Sequence, residues 1–223
     1  MTDSAERPAT EPAAIPVVGT AAEALEGLRP HLSEQLGGIE HPLEPPHDLG
    51  PVARFDAAVD RAFDLLRGNP VADRVFYAAT ELGDFGLIWV LLGTARGLRS
   101  DHDLATAGRL TATLAAESML VNGIIKQLFK RERPVSQEPR PYKMRMPITT
   151  SFPSGHSSTA VVAATLLSAA RPRSAPFYWG LAGLVATSRV YVKIHHASDV
   201  VGGVATGLVI GTAARAFWRR VGA

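Results

Sequence analysis

The sequence contains no cysteine, which excludes a disulfide scaffold and any thiolate metal site. It has almost no net charge: 23 Lys and Arg against 21 Asp and Glu leave +2, too little to argue for a nucleic-acid partner. It does not open on a secretory signal, because MTDSAERPATEPAAIP carries acids and prolines where a basic start and an apolar run are needed. No repeat of fixed period stands out, and no segment alternates convincingly as strands do. Long uncharged runs are also scarce. The stretches free of Asp, Glu, Lys and Arg include 146–170, 174–188 and 200–214, and most fall short of the roughly 20 apolar residues that span a bilayer.

What those runs do contain is Gly, Ala, Ser and Thr, the small residues that let membrane helices approach closely. The 223 residues, 46% hydrophobic and 20% charged, suit one main domain plus a tail. Residues 1–50, rich in Pro, Glu, Ala and His, are expected to form a largely disordered tail with a short helix at 20–37. His31, His41 and His47 are too irregularly spaced to be read as a metal site. Residues 51–83 are expected to be amphipathic or interfacial helices, with Phe55, Val59, Phe63 and Leu66 on one face of the first. Residues 84–223 are expected to be the helical domain proper, with helices near 86–98, 104–130, 156–170, 176–188 and 198–218. Glu117, within the longest of these, should face the interior. The expected fold is an all-α, membrane-embedded bundle of about five to six helices with its active site at one end.

Three polar blocks interrupt this pattern. Lys126 and Arg133 bracket the start of a basic, proline-rich loop; Lys130, Arg131, Arg140 and Lys143 nearby are read as ordinary interfacial cations. Pro153-Ser154-Gly155-His156 then opens an apolar helix, where free backbone N–H groups can bind an anion and Gly155 lets it come close. Ser154 serves equally as a plain helix cap. The third block, Ser188 to Asp199, holds Arg189, His195 and, four residues on, Asp199. On a helix Asp199 reaches the ring of His195 and fixes its tautomer, which alone is an ordinary helix-start contact. If helices 104–130, 156–170, 176–188 and 198–218 run antiparallel, all three blocks fall at one end. Three cations, free amides and two histidines there describe a phosphate site.

Taken in order, K-x6-RP, PSGH and SR-x5-H-x3-D resemble the signature of the type 2 phosphatidic acid phosphatase superfamily, over roughly residues 84–218. The resemblance implies a metal-independent, cofactor-free phosphatase acting on a terminal phosphate or diphosphate of a phospholipid or polyprenyl substrate. It implies His195 as nucleophile, Asp199 as its orienting carboxylate and His156 as acid. Lys126, Arg133, Arg189 and the amides near Ser154 and Gly155 would bind phosphate. His196 lies one residue off the nucleophile's spacing.

The same blocks resemble those of vanadium-dependent haloperoxidases, which are longer and soluble; a non-catalytic lipid-binding relative would be expected to lose one of the catalytic residues. Loop 135–152 is the expected lid. Arg96, Arg99, Arg171, Arg173, Arg219 and Arg220 make basic ends opposite the site. By the positive-inside rule they favour an extracytoplasmic active site in an integral protein, expected in the plasma membrane. Against this, a long polar N-terminus without a signal would stay inside and, by helix count, abut the active-site face unless residues 53–82 cross the membrane.

Overall fold

The computed structural model describes residues 50–136 and 139–221; the expected tail, its short helix and His31, His41 and His47 lie outside these. Seven α-helices follow in order: α1 Pro51–Asp64, α2 Pro70–Gly83, α3 Leu87–Gly97, α4 Asp101–Gly123, α5 Gly155–Ala170, α6 Ala175–Tyr191 and α7 Ala197–Val221. Among the described residues there is no strand. α2 and α3 are joined by a single 3-10 turn, Asp84–Gly86, in which Phe85 and Gly86 take left-handed φ values of 54° and 69°. Counted as one kinked rod, Pro70–Gly97, they bring the total among the described residues to six, within the expected range. Among the described residues, that rod and α7 are the two segments long and apolar enough to cross a membrane.

Several helix ends follow from local chemistry. Asn69 caps α2, its side chain accepting from the N–H groups of Val71 and Ala72, with Pro70 at the first helical position. Ser100 caps α4, accepting from Asp103 N–H. α4 stops at Gly123, short of the expected 130, and Ile125–Leu128 form a separate 3-10 turn that carries Lys126.

The innermost rod is α5. Ser157, Ser158, the run Ala160–Thr165 and Leu167 are all buried, and Trp89, Leu110, Leu114, Tyr178, Ala182 and Val185 close the core around its middle. α7 lies against α5 through glycines four apart. A Cβ on Gly203 would stand 2.4 Å from the carbonyl oxygen of Ser154, and one on Gly207 2.6 Å from that of Ser158. No side chain fits there, so backbone meets backbone, as small-residue stripes allow in membrane bundles. Meanwhile Leu91, Met119, Phe177 and Val209 are exposed on the outside of the helices.

The far end of the bundle is tied by Asp103, buried at the start of α4. It takes Arg96 from α3 at 3.2 Å and Arg171 from the end of α5 at 2.9 Å. The end of α5 thus meets the beginning of α4, the antiparallel arrangement expected. Glu117 is buried, and its Oε2 accepts from Thr159 of α5 at 2.8 Å.

α1 departs from a simple amphipathic reading, because its buried side carries charge. Asp56 is buried while Phe55 remains 45% exposed. The Asp56 carboxylate accepts from the N–H of Ser198 at 2.7 Å and from Arg131 at 2.6 Å, which pins α1 to the start of α7.

The glycine contacts generate a comparison. Gly207→Ala should destabilise the bundle by about 1–3 kcal/mol, since an added methyl must push two backbones apart. Gly183→Ala, whose Cβ meets nothing within 4 Å, should be neutral or slightly stabilising. Thermal loss of helical circular dichroism in detergent would compare them, and equal midpoints would refute the assigned packing.

Candidate active site

At the end of the bundle opposite Asp103, the three sequence blocks converge. Their backbones are joined directly: the N–H of Ser154 donates to the carbonyl of Asp199 at 3.0 Å, tying the starts of α5 and α7. The loop before α7 is tightly wound. The N–H groups of Ile194 and His195 both donate to the carbonyl of Arg189 at 3.1 Å, and Lys193 adopts a left-handed φ of 52°. Beneath this loop Tyr191 stacks on Phe76 with centroids 4.2 Å apart. Arg67, from the α1–α2 connection, donates to the carbonyls of Tyr191 and Val190 at 2.8 and 2.9 Å.

His195 is 2% exposed. Its Nδ1 lies 3.5 Å from Oδ2 of Asp199, and its Nε2 lies 3.1 Å from Nη1 of Arg133. A guanidinium can only donate, so Nε2 carries the lone pair and Nδ1 the proton, facing the carboxylate. Burial first, then the charges of Arg189, Arg133 and Lys126, hold the imidazole pKa well below its ordinary value, only partly offset by Asp199. The ring is therefore neutral at physiological pH.

Asp199 is fully buried and fully engaged. It accepts from Arg131 at 2.7 Å, from the N–H of His196 at 2.9 Å and from the hydroxyl of Ser151. Arg131, read from sequence as an ordinary interfacial cation, thus bridges Asp199 and Asp56. Neither Arg131 nor Ser151 carries a local signal; their proximity to Asp199 arises from the path of the loop.

The three cations are set differently. Arg133 donates to the carbonyls of Thr149, Ile194 and Thr150 at 3.0, 3.0 and 3.1 Å. Lys126 is buried, with Nζ 3.1 Å from Thr149 Oγ1. Burial, then repulsion from Arg133 and Arg189, lowers its pKa to about 8, against the pull of Glu117 and Asp199. Arg189 is 1% exposed; Nη1 donates to Thr80 of α2, while Nε and Nη2 have no partner among the described residues. Buried guanidinium nitrogens without acceptors leave room for an anion.

Ser154 serves mainly as a cap: its Oγ accepts from the N–H of Ser157, and its own N–H is taken by Asp199. The first-turn amides left to face an anion are those of Gly155 and His156. His156 meets an unexpected partner, Asp84 of the α2–α3 turn, at 2.8 Å from Nε2. Its ring fits because residue 83 is glycine; a Cβ there would stand 2.9 Å from the imidazole. A cavity of about 470 Å³ reaches Lys126, Arg133, Gly155, His156, Arg189 and His195 together. His196 does not line it.

Residues 106–222 match the PAP2 superfamily. The chain is 26% identical over 170 residues to phosphatidylglycerophosphatase B of Bacillus subtilis, covering 71% of this chain and 81% of that protein. It is 32% identical over 125 residues to decaprenylphosphoryl-5-phosphoribose phosphatase of Mycobacterium tuberculosis, covering 56% and 67%. The crystal structure of a transmembrane PAP2-type phosphatidylglycerolphosphate phosphatase from Bacillus subtilis shares the fold. Its TM-score is 0.57 at 24% identity, with coverage of 89% of this chain and 96% of that one. The match extends over more than half of the chain and takes in all three converging blocks, so the chain belongs to the PAP2 superfamily.

Proposed function

We propose that this protein hydrolyses a terminal phosphate or diphosphate of a lipid or polyprenyl substrate, without a metal, through a phosphohistidine. The observation that carries the reading is the neutral His195, its Nδ1–H towards Asp199 and its Nε2 lone pair, which accepts from Arg133, on the side of a cavity ringed by three cations. Nε2 attacks phosphorus as the bond to the leaving oxygen breaks, and Asp199 stabilises the imidazolium that forms. Arriving phosphate oxygens draw Arg133 off Nε2 and fill the open valences of Arg189. Lys126 and the amides of Gly155 and His156 take the remaining oxygens, supplying the charge stabilisation that phosphoryl transfer requires.

His156, its Nε2–H held by Asp84, takes up a proton at Nδ1 as the substrate's phosphate charge enters the site and gives that proton to the leaving oxygen. It then takes one from the water that attacks the phosphohistidine; inorganic phosphate departs and His195 returns to its neutral state. The relatives named above act on lipid-linked phosphates, which supports a substrate with an apolar anchor.

With chelator present, His195→Ala should lose at least a thousandfold in phosphate release, and rapid quenching of wild type should trap an acid-labile phosphoprotein. Chelator-sensitive turnover, or activity surviving the substitution, would sink the mechanism.

The lowered pKa of Lys126 sets a pH dependence. Its charge is present below about 8 and is lost as pH rises through that value, so kcat/KM should decline on the alkaline side. A bound phosphate dianion favours the charged ammonium, so kcat should decline only at higher pH. Lys126→Arg, which keeps its charge throughout, should move the alkaline limb of kcat/KM upward; an unmoved limb would assign it to another group.

We further infer an integral plasma-membrane protein with the site on the extracytoplasmic side, supported by the basic residues at the far end, Arg96, Arg99, Arg171, Arg173, Arg219 and Arg220. Because the chain has no native cysteine, Lys143→Cys and Arg173→Cys can be labelled singly on intact cells. Only the first should react with an impermeant maleimide, and the opposite pattern would invert the topology.

A further inference from the structure

The cavity that holds the three cations contains a fourth. Arg145, in the loop before α5, lines it together with Phe85 and Ile148. Phe85 and Ile148 are 84% and 99% exposed, whereas Lys126, Arg189 and His195 are buried. Arg145 therefore stands at the mouth and the cluster at the inner end. Among the described residues Arg145 makes no hydrogen bond or ion pair; its guanidinium lies over the Phe85 ring, 4.6 Å from the centroid.

Phe85 is an unusual platform. A bulky side chain at φ 54° is disfavoured, yet this backbone keeps the ring at the opening. The preceding residue, Asp84, is bonded to His156, so the platform is tied to the proposed acid. The cavity is also lined by Ser118 and Asn122, exposed and four apart on α4, with Asn122 Nδ2 donating to Ser118 Oγ at 3.1 Å. Cation cluster, polar stripe and single cation thus line one cavity.

We propose that Arg145 is a binding site for a second anionic group of the substrate, a phosphodiester lying between the terminal phosphate and the apolar anchor. The substrate class is then a lipid bearing a terminal phosphomonoester, a short hydroxylated spacer and a phosphodiester. This rests on the hydrolase reading above and narrows it. A guanidinium parked on a ring, near enough to Asp84 for their charges to interact but not hydrogen-bonded to it, stays available to a phosphate with little rearrangement. Substrates lacking the diester leave it on Phe85 and gain nothing from it, so the selectivity arises as a difference between two affinities.

The test uses the full chain in neutral detergent micelles with two probes sharing a diacylglycerol anchor: phosphatidylglycerophosphate, which has the diester, and phosphatidate, which lacks it. For Arg145→Gln the ratio of kcat/KM values should fall about tenfold, through a higher KM for phosphatidylglycerophosphate. Arg145→Lys should restore part of it. Equal losses on both probes, or an unchanged ratio, would overturn the assignment while leaving the hydrolase reading intact. A loss seen only when anionic lipid is added to the micelles would also overturn it, making Arg145 a contact to the bilayer surface. Failure of wild type to release phosphate from either lipid would instead overturn the hydrolase reading, and this proposal with it.

Discussion

The structure depends most on the burial of one carboxylate. Asp199 lies out of reach of solvent, where an ionised group is tolerated only if its oxygens are satisfied. Its donors come from different parts of the chain: Arg131 and Ser151 from the loop after α4, and the His196 amide from its own turn. Its backbone carbonyl takes the amide that begins α5. Placing this group therefore places the loop, the start of α5 and the start of α7 together. The same oxygen that accepts from Ser151 faces Nδ1 of His195, so the bonds that stabilise the fold also select the histidine tautomer.

That arrangement requires α5 and α7 to come closer than side chains permit. Gly203 and Gly207 remove the obstruction where the carbonyls of Ser154 and Ser158 face α7. Ser154 lies at the very start of α5, so one glycine contact occurs within the site itself. Packing and chemistry are coupled here by distance along a helix: one turn separates Asp199 from Gly203. Polarity follows the same logic. Charge is gathered at the two ends, around Asp199 and Asp103, while the sides between them expose leucine, methionine and phenylalanine.

Much of this was legible in the sequence, because residue spacing survives folding. Helix directions alone bring Lys126, Arg133, His156, Arg189, His195 and Asp199 to one end, and the structure gathers them there. What was not legible is who partners them. Asp84, Thr80 and Asp56 come from α1, the α2–α3 rod and its turn, outside the matched stretch, and a lone acid or threonine on an apolar helix has no pattern to reveal its contact. Arg131 differs from its neighbour Lys130 only in where the loop carries it. The extent of α4 was overestimated because apolar composition continues through Ile125–Leu128, although the α-helix ends at Gly123. α1 carries an amphipathic pattern, but its acidic side chain Asp56 turns inward because Arg131 and the start of α7 are there to receive it.

The partners also explain how one electrostatic field serves two needs. Three cations placed together repel, and the ammonium of Lys126 bears the cost as a lowered pKa. Arg189, itself buried, has donors without a partner among the described residues. An empty site is thus the less favourable state, and a phosphate dianion relieves it by satisfying donors and cancelling repulsion together. Before a phosphate arrives, the same field disfavours protonation of His195 and leaves its Nε2 with a lone pair, which accepts from Arg133. In the mechanism proposed above, attack forms the imidazolium beside Asp199 with the phosphoryl charge now present among the cations. On that proposal, the cluster that keeps His195 neutral no longer opposes its positive charge to the same degree once the bond to phosphorus has formed.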